Sequence, residues 1–366
     1  EPGGQIGNQG IDPYKFVPTM SQVEKKDVAW LVNGAKPLTL NAPGLVSDSF
    51  TWETVETLDF GFDITALNGR LQSTFDWYRV IRKICLLREL SCVSVGASAP
   101  LQNTADLRTK GWELSLTWRD RIGAWGYNVG FNLYDSKTVV TKYHNESKII
   151  LKSDGTNNYY EGYEIGSIWG YVTDGYYTAD DFEDTNTWKL KEGVVDSSPL
   201  SDTPRPGNAK FKKLTPVDPN STNPYQLTEA DRTVIGNTTP KFSGGFGLNA
   251  TYKGFDMSMF FNFMYDFDVL NANKIMLTTW ADNKENNFLM DIASDKRWRN
   301  FDDMGNEIRY SPEVLAEFNK NATMWNPTSI GRPICMSYAV EDGSFLRLNS
   351  ATLGYTLPSV WTKKSV

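Results

Sequence analysis

Histidine is almost missing from this chain: of its 366 residues, His144 alone is one. Histidine-based catalytic triads and multi-histidine metal sites are thereby excluded. The three cysteines, Cys85, Cys92 and Cys335, have no metal-type spacing and leave an odd thiol. No apolar run of roughly 18 residues occurs, so no transmembrane helix is expected. Positive charge is not in excess, with 37 Lys and Arg against 44 Asp and Glu and a net charge of −7, so no nucleic acid partner is expected. A starting methionine and a signal peptide are also missing. The chain opens at Glu1 in loop-like composition and stops at Val366 just after a turn-like stretch, so it is expected to be a fragment cut at both ends.

Aromatic residues, by contrast, are plentiful: 13% of the chain, with 12 Trp and 17 Tyr. That richness suits interfacial girdles or sugar-stacking surfaces. The mean hydropathy of −0.43 is neutral between a soluble and a barrel protein, because half of every barrel strand faces a polar interior.

The pattern that organises the chain lies at residues 110–137, KGWELSLTWRDRIGAWGYNVGFNLYDSK. Trp112, Leu114, Leu116 and Trp118 alternate with Glu113, Ser115, Thr117 and Arg119. A short turn follows, and Tyr127, Val129, Phe131 and Leu133 then alternate with Asn128, Gly130 and Asn132. Period-two alternation places successive side chains on opposite faces of a strand. Arms of about 10 residues can cross a bilayer when tilted, although a half-buried hairpin of a soluble sandwich alternates in the same way.

The spacing of the other hairpins separates those readings. Residues 1–50 are rich in Gly and Pro and are expected to form a long loop. Residues 52–67 set Leu58, Phe60, Phe62 and Ile64 against Thr57, Asp59, Gly61 and Asp63. Asn68 and Gly69 then suit a type I′ turn, and Leu71, Ser73, Phe75 and Trp77 continue the apolar phase on the return. A third hairpin, residues 241–266, turns at Lys253 and Gly254. The last arm, residues 345–357, slips phase near Asn349 and Ser350, which predicts a bulge. Residues 311–321, opening Ser-Pro, predict a short helix. Tight turns (Asn68 and Gly69, Gly123 and Ala124, Lys253 and Gly254) thus alternate with long insertions, residues 138–231 and 271–343. Outer-membrane barrels sort their connections in this way, with short periplasmic turns and long extracellular loops. The expected fold is therefore all-β: a transmembrane antiparallel β-barrel, with residues 1–366 forming part of one barrel domain.

Several long phrases carry a resemblance: NAPGLVSDSFTWETVETLDFGFD (41–63), GASAPLQNTADLRTKGWELSLTWRD (96–120), IWGYVTDGYYTADDF (168–182), DRTVIGNTTPKFSGGFGLNATYKGFDMSMFFNFMY (231–265) and DGSFLRLNSATLGYTLP (342–358). Through them the chain resembles the C-terminal barrel part of the SusC/RagA-type TonB-dependent outer-membrane transporters of Bacteroidetes. The resemblance implies a barrel of roughly 22 strands with a plugged lumen. It also implies a plug and a TonB-box segment that lie outside this chain, together with early and final strands. Its implied partners are a SusD-like surface lipoprotein, the TonB complex, outer-membrane lipid and an oligosaccharide or peptide cargo. A secreted or surface-anchored carbohydrate-binding β protein, also aromatic-rich, is the rival reading.

No catalytic, metal-binding or cofactor-binding residue is assigned, and the chain is not expected to be an enzyme. His144 lies in a polar stretch and is expected at a solvated surface. Asp59, Asp63, Asp76 and Glu113 share one strand phase, which could suit acid–base chemistry, but a polar barrel wall makes the same pattern. Asp180 with Asp181, and Asp302 with Asp303, lack the spacing of a calcium loop. Loop aromatics are the better lead: Tyr159, Tyr160, Tyr163, Trp169, Tyr171, Tyr176 and Tyr177 in the first insertion, and Trp280, Trp298 and Trp325 in the second. They could stack on sugars, pack the loops together or dock the lipoprotein. No single one is assigned to substrate.

One stretch departs from the family wording. After Asp76, Trp77 and Tyr78, relatives run R-Y-T-K-D-M-L-T-P-G, whereas residues 79–89 read RVIRKICLLRE and lose the alternation. Written as GTT ATA CGA AAG ATA TGC TTA CTC CGG GAA, residues 80–89 give Y-T-K-D-M-L-T-P-G when the first two bases are skipped. A frame-shifted reading between residues 80 and 95 would account for both Cys85 and Cys92; a genuine, divergent strand end is the alternative.

Overall fold

Alternating side chains become a meander of paired strands in the computed structural model, which describes residues 2–5, 17, 20, 22–23, 31–37, 39–40, 51–88, 101–144, 149–150, 159–184, 186–201, 203–278, 289–292, 295–330 and 334–358. Strands β1 (Pro2–Gln5), β2 (Glu53–Ala66), β3 (Leu71–Arg88), β4 (Leu101–Ile122) and β5 (Trp125–Tyr143) follow in chain order. They are joined by β6 (Phe242–Tyr252), β7 (Phe255–Tyr265) and β8 (Phe345–Tyr355). Each strand pairs antiparallel with its neighbour in this order, giving an open eight-stranded sheet with β1 and β8 as its edges.

The three tight turns lie at one end of this sheet. Leu71 is the register partner of Trp118, so the β2–β3 turn lies beside the β4–β5 turn; Trp125 partners Tyr252, which sets the β6–β7 turn beside it in the same way. Lys253 and Gly254 have φ of +43° and +89°, the left-handed pair that a type I′ turn needs. The β2–β3 connection differs from the two-residue turn expected. Pairing stops at Ala66 and Leu71, and Leu67, Asn68 and Gly69 all have positive φ, so the loop holds four residues. At the opposite end, Val140 N–H donates to the Tyr163 carbonyl at 3.1 Å. Tyr163 therefore lies away from the turns.

Strands β4 and β5 run to 22 and 19 residues, about twice the arms expected. Pairing continues beyond the apolar belt because Ala105, Val140 and Tyr143 bury one another there, with Leu107 and Ile165 against them. The predicted bulge is present: Phe260 partners Ser350 and Phe261 partners Leu348, leaving Asn349 unpaired. Residues 2–5 are strand rather than loop, and most of the rest of residues 1–50 lies outside the described residues.

Residues 167–238 and 267–343, expected as long loops, form a second compact unit. It contains the ribbons Ser167–Gly170 with Thr233–Asn237, Thr173–Tyr176 with Ala209–Phe211, and Asp268–Leu270 with Val340–Asp342. The Ser-Pro signal yields the helix Pro312–Phe318. Both excursions supply one core: Tyr171, Phe211 and Leu227 from the first, and Ile275, Trp325 and Met336 from the second. The backbone stitches them together, with Tyr171 N–H donating to the Cys335 carbonyl and Ser337 N–H to that of Tyr171, both at 3.0 Å.

Candidate functional site

Cross-strand register shows which side chains share a face, because direct partners project to the same side. Phe62, Phe75, Leu114 and Leu133 form one row across four strands. The next row is Ser73, Leu116, Phe131, Phe246 and Phe261. Trp118, Val129, Leu248 and Met259 follow. This face is apolar from row to row, and Phe60 upon it is 64% exposed. The other face carries Asp63, Thr74, Ser115 and Asn132 in one row, and Asp76 beside Glu113 in another. Thr74 Oγ1 donates to Asp63 Oδ1 at 2.7 Å, which ties β2 to β3 within the first of these rows. Phe60, Phe75, Leu116, Phe131, Phe246 and Met259 thus fall on one side, and Asp59, Thr74, Ser115, Asn132 and Asn249 on the other.

Aromatic rows bound the apolar belt. At the turn end, Trp125 stacks on Tyr252 with ring centroids 4.3 Å apart, and Phe255 lies 4.5 Å from Tyr355. At the other end Trp77 partners Trp112. Along β4 the distance from Trp112 to Ile122, the partner of Trp125, is about 33 Å at the usual rise per residue. A tilt of roughly 40° brings that to about 25 Å, the height of a barrel's lipid-facing band. On the polar face, Ser115, Asn128, Asn132, Gly245 and Asn249 line a shallow recess of 230 Å³.

The aromatic leads of the insertions turn out mostly to be core. Tyr171 and Tyr177 are fully buried, and Trp169, Trp298 and Trp325 nearly so. Trp298 packs on Tyr176 at 5.0 Å and Trp325 on Tyr338 at 4.9 Å. Tyr160 packs edge-on against Tyr163, which is 48% exposed. The Tyr159 side chain and Trp280 lie outside the described residues. Sequence reasoning missed a 500 Å³ cavity in the insertion unit, lined by Trp188, Lys189, Glu192, Asp196, Asn223 and Tyr225. No local sequence pattern marks it; in the structure Trp188 stands out there by its φ of +53°, unusual for a bulky residue.

The titratable groups do structural work. Asp231 has no exposed surface, and Lys213 Nζ lies 3.3 Å from its carboxylate. Burial pushes its pKa up, but hydrogen bonds from the Thr215 hydroxyl and from the Thr215, Thr228 and Leu214 N–H groups outweigh this and hold the carboxyl well below the usual range. Burial pushes the Tyr177 phenol up to about 12. His144 is exposed and sits 3.1 Å from Asp106 Oδ1. Asp181 caps the turn at Thr178 and lies 3.3 Å from Lys210; Asp302 accepts from Asn306, and Asp303 lies 2.8 Å from Arg299. No cluster able to hold a metal occurs among the described residues.

No family model matches the chain. Two curated proteins of Formosa agariphila are similar to it: TonB-dependent receptor P3, 29% identical over 99% of this chain, and TonB-dependent receptor P26, 26% identical over 97%. The chain spans 32% of the length of each. Among solved structures, the RagAB peptide transporter matches with a TM-score of 0.69 at 18% identity, covering 98% of this chain and 34% of that one. The RagAB peptide importer in its closed-closed state matches with a TM-score of 0.64, also at 18% identity. In sequence over nearly its whole length the chain is similar to about a third of the TonB-dependent receptors of a Bacteroidetes, and in fold to about a third of a RagAB transporter chain.

Proposed function

We propose that this chain is part of an outer-membrane β-barrel that imports an oligosaccharide or peptide nutrient, driven through TonB and working with a SusD-like surface lipoprotein. One observation carries the reading. The sheet separates an apolar face, bounded at both ends by aromatic rows, from a polar face, and gathers its tight turns at one end. A soluble sheet has no need of exposed Leu58, Phe60, Leu346 and Leu353, whereas a barrel wall turns such a belt to lipid and its polar face to an aqueous or plugged lumen. The long excursions leave the sheet at the end opposite its tight turns, as the extracellular loops of a barrel do, and the similarity to TonB-dependent receptors supports the transport assignment. The chain's role is passage rather than chemistry.

Extraction tests this directly. The protein should leave membranes only with detergent, and its folded form should migrate faster than its boiled form on a gel. Recovery in the soluble fraction without detergent would favour a secreted carbohydrate-binding protein instead.

A further inference from the structure

Toward the loop end, the apolar face changes character over two rows. Phe60, Trp77 and Trp112 form the aromatic row. One register step further, Arg79, Lys110 and Lys137 are direct cross-strand partners, and Arg108 follows on β4 between Ile81 and Val139. Each step is about 6.7 Å along the strands. Four cations therefore sit just past the tryptophan row, on the face that otherwise carries Leu and Phe. Glu164 Oε1 lies 3.6 Å from Lys137 Nζ. Arg79, Arg108 and Lys110 have no carboxylate within ion-pair distance among the described residues.

Arg108, Lys110 and Lys137 line a recess of 260 Å³ together with Trp77, Trp112 and the carboxylates of Asp135 and Glu164; Arg79 lies one strand over, outside its walls. Asp135 enters its wall from one row nearer the belt, and its Oδ1 is buried with no hydrogen-bond partner among the described residues. The turn end is built differently. There Arg70 lies 3.3 Å from Asp120, and the Lys253 ammonium sits over the Tyr252 ring, 5.3 Å from its centroid. Among the described residues, the row of adjacent cations Arg79, Lys110 and Lys137 on this face lies at the end where the long excursions begin.

We propose that this recess binds the phosphate-bearing headgroup of an outer-leaflet lipid. Arg108 and Lys110 would hold the phosphate, Asp135 would accept a hydrogen bond from a hydroxyl of the headgroup, and Trp77 and Trp112 would pack on the first acyl carbons. Charge complementarity and the continuity of the recess with the apolar belt favour a lipid over a free anion, because a free phosphate makes no use of the indoles. Arginine and lysine near a membrane surface each strengthen attraction to anionic lipid, and guanidinium groups match phosphate geometry. The proposal rests on the apolar face being turned to lipid, as argued above.

Native mass spectrometry of the detergent-extracted full chain tests it, with diphosphorylated lipid A and its phosphate-free counterpart as probes. The unaltered chain should retain the phosphorylated lipid and lose the other. Removing Arg108 and Lys110 together by Gln substitution should lower the affinity roughly thirtyfold. The exposed single changes Arg108→Gln and Lys110→Gln serve if the double variant does not fold, and Lys110→Arg should retain binding. Arg119→Gln, on the opposite face, should leave retention unchanged. Equal retention of both lipids, undiminished retention by the Gln variants, or complete displacement by inorganic phosphate would each overturn the proposal. A chain that folds in detergent and shows any of these leaves the barrel reading standing; a chain soluble without detergent removes the barrel reading itself.

Discussion

In the sheet, Phe60 and Leu353 are 64% and 74% exposed, while in the insertion unit Phe211 and Tyr177 have no exposed surface at all. Both regions are rich in aromatic and aliphatic side chains. The sheet turns them outward in rows, and the insertions turn them inward around one another. Local sequence does not mark this difference, because periodicity reports which residues share a face and not what covers that face. A wall made for hydrocarbon needs its apolar side uncovered, whereas a unit standing in water must bury the same residues.

The comparison is most easily broken in the insertion core. Phe211→Ala should destabilise that unit by roughly 3–5 kcal/mol, since it opens a cavity where no surface was exposed. Limited proteolysis would show cleavage within residues 167–238 while the sheet remains resistant. Asp231→Asn comes next, at roughly 3–5 kcal/mol in the limit, because it leaves Lys213 buried beside a neutral amide. The same carboxylate gives a pH signature. Its folded pKa is depressed, so its stabilisation is fully present above the unfolded carboxylate value of about 4 and is lost progressively as pH falls from there through the lower folded value. Acid unfolding of the insertion unit, followed by tryptophan fluorescence, should flatten in Asp231→Asn.

The sheet responds to charge on one face only. Leu116→Lys should cost roughly 2–4 kcal/mol in lipid, measured by denaturant titration in bilayers, if Leu116 lies near mid-membrane. Asn132→Lys, in the adjacent row of the opposite face, should cost less than about 1 kcal/mol. Equal losses at both positions would mean that the two faces meet the same medium.

Much of the sheet was legible in the sequence because strand side chains repeat every second residue: the hairpins, the Asn349 bulge and the faces of Leu116 and Asn132 all follow from that rule. The core of the insertion unit was not legible. Tyr171 meets Met336 and Cys335 across a long stretch of chain, and no local pattern pairs them. Trp325 and Trp298 therefore looked as available for ligand as Tyr163, although only the last is exposed. The cavity beside Trp188 was hidden for the same reason, since its walls come from separate turns.

Residues 79–89 were flagged by lost alternation, and β3 is irregular there. Its register with β4 shifts on both sides of Cys85, and Ile84 holds a φ of +51°, costly for a β-branched residue. Resequencing the gene should find codons that restore Y-T-K-D-M-L-T-P-G in the shifted frame. Codons incompatible with that reading would make Cys85 and its irregular backbone native.

The shared core also fixes an order of events in time. Thr173 hydrogen-bonds Ser337, 164 residues further along the chain, at 2.9 Å between hydroxyls. As the chain is made from its N-terminus, Tyr171 and Phe211 emerge well before Ile275, Trp325 and Met336 exist to cover them. Until residue 336 has followed, the first excursion has sticky aromatic surface and nowhere to put it, and the hairpin of β6 and β7 lies in between. A holdase chaperone would find its binding site in that interval, on residues 167–238, and would lose it once the second excursion arrives.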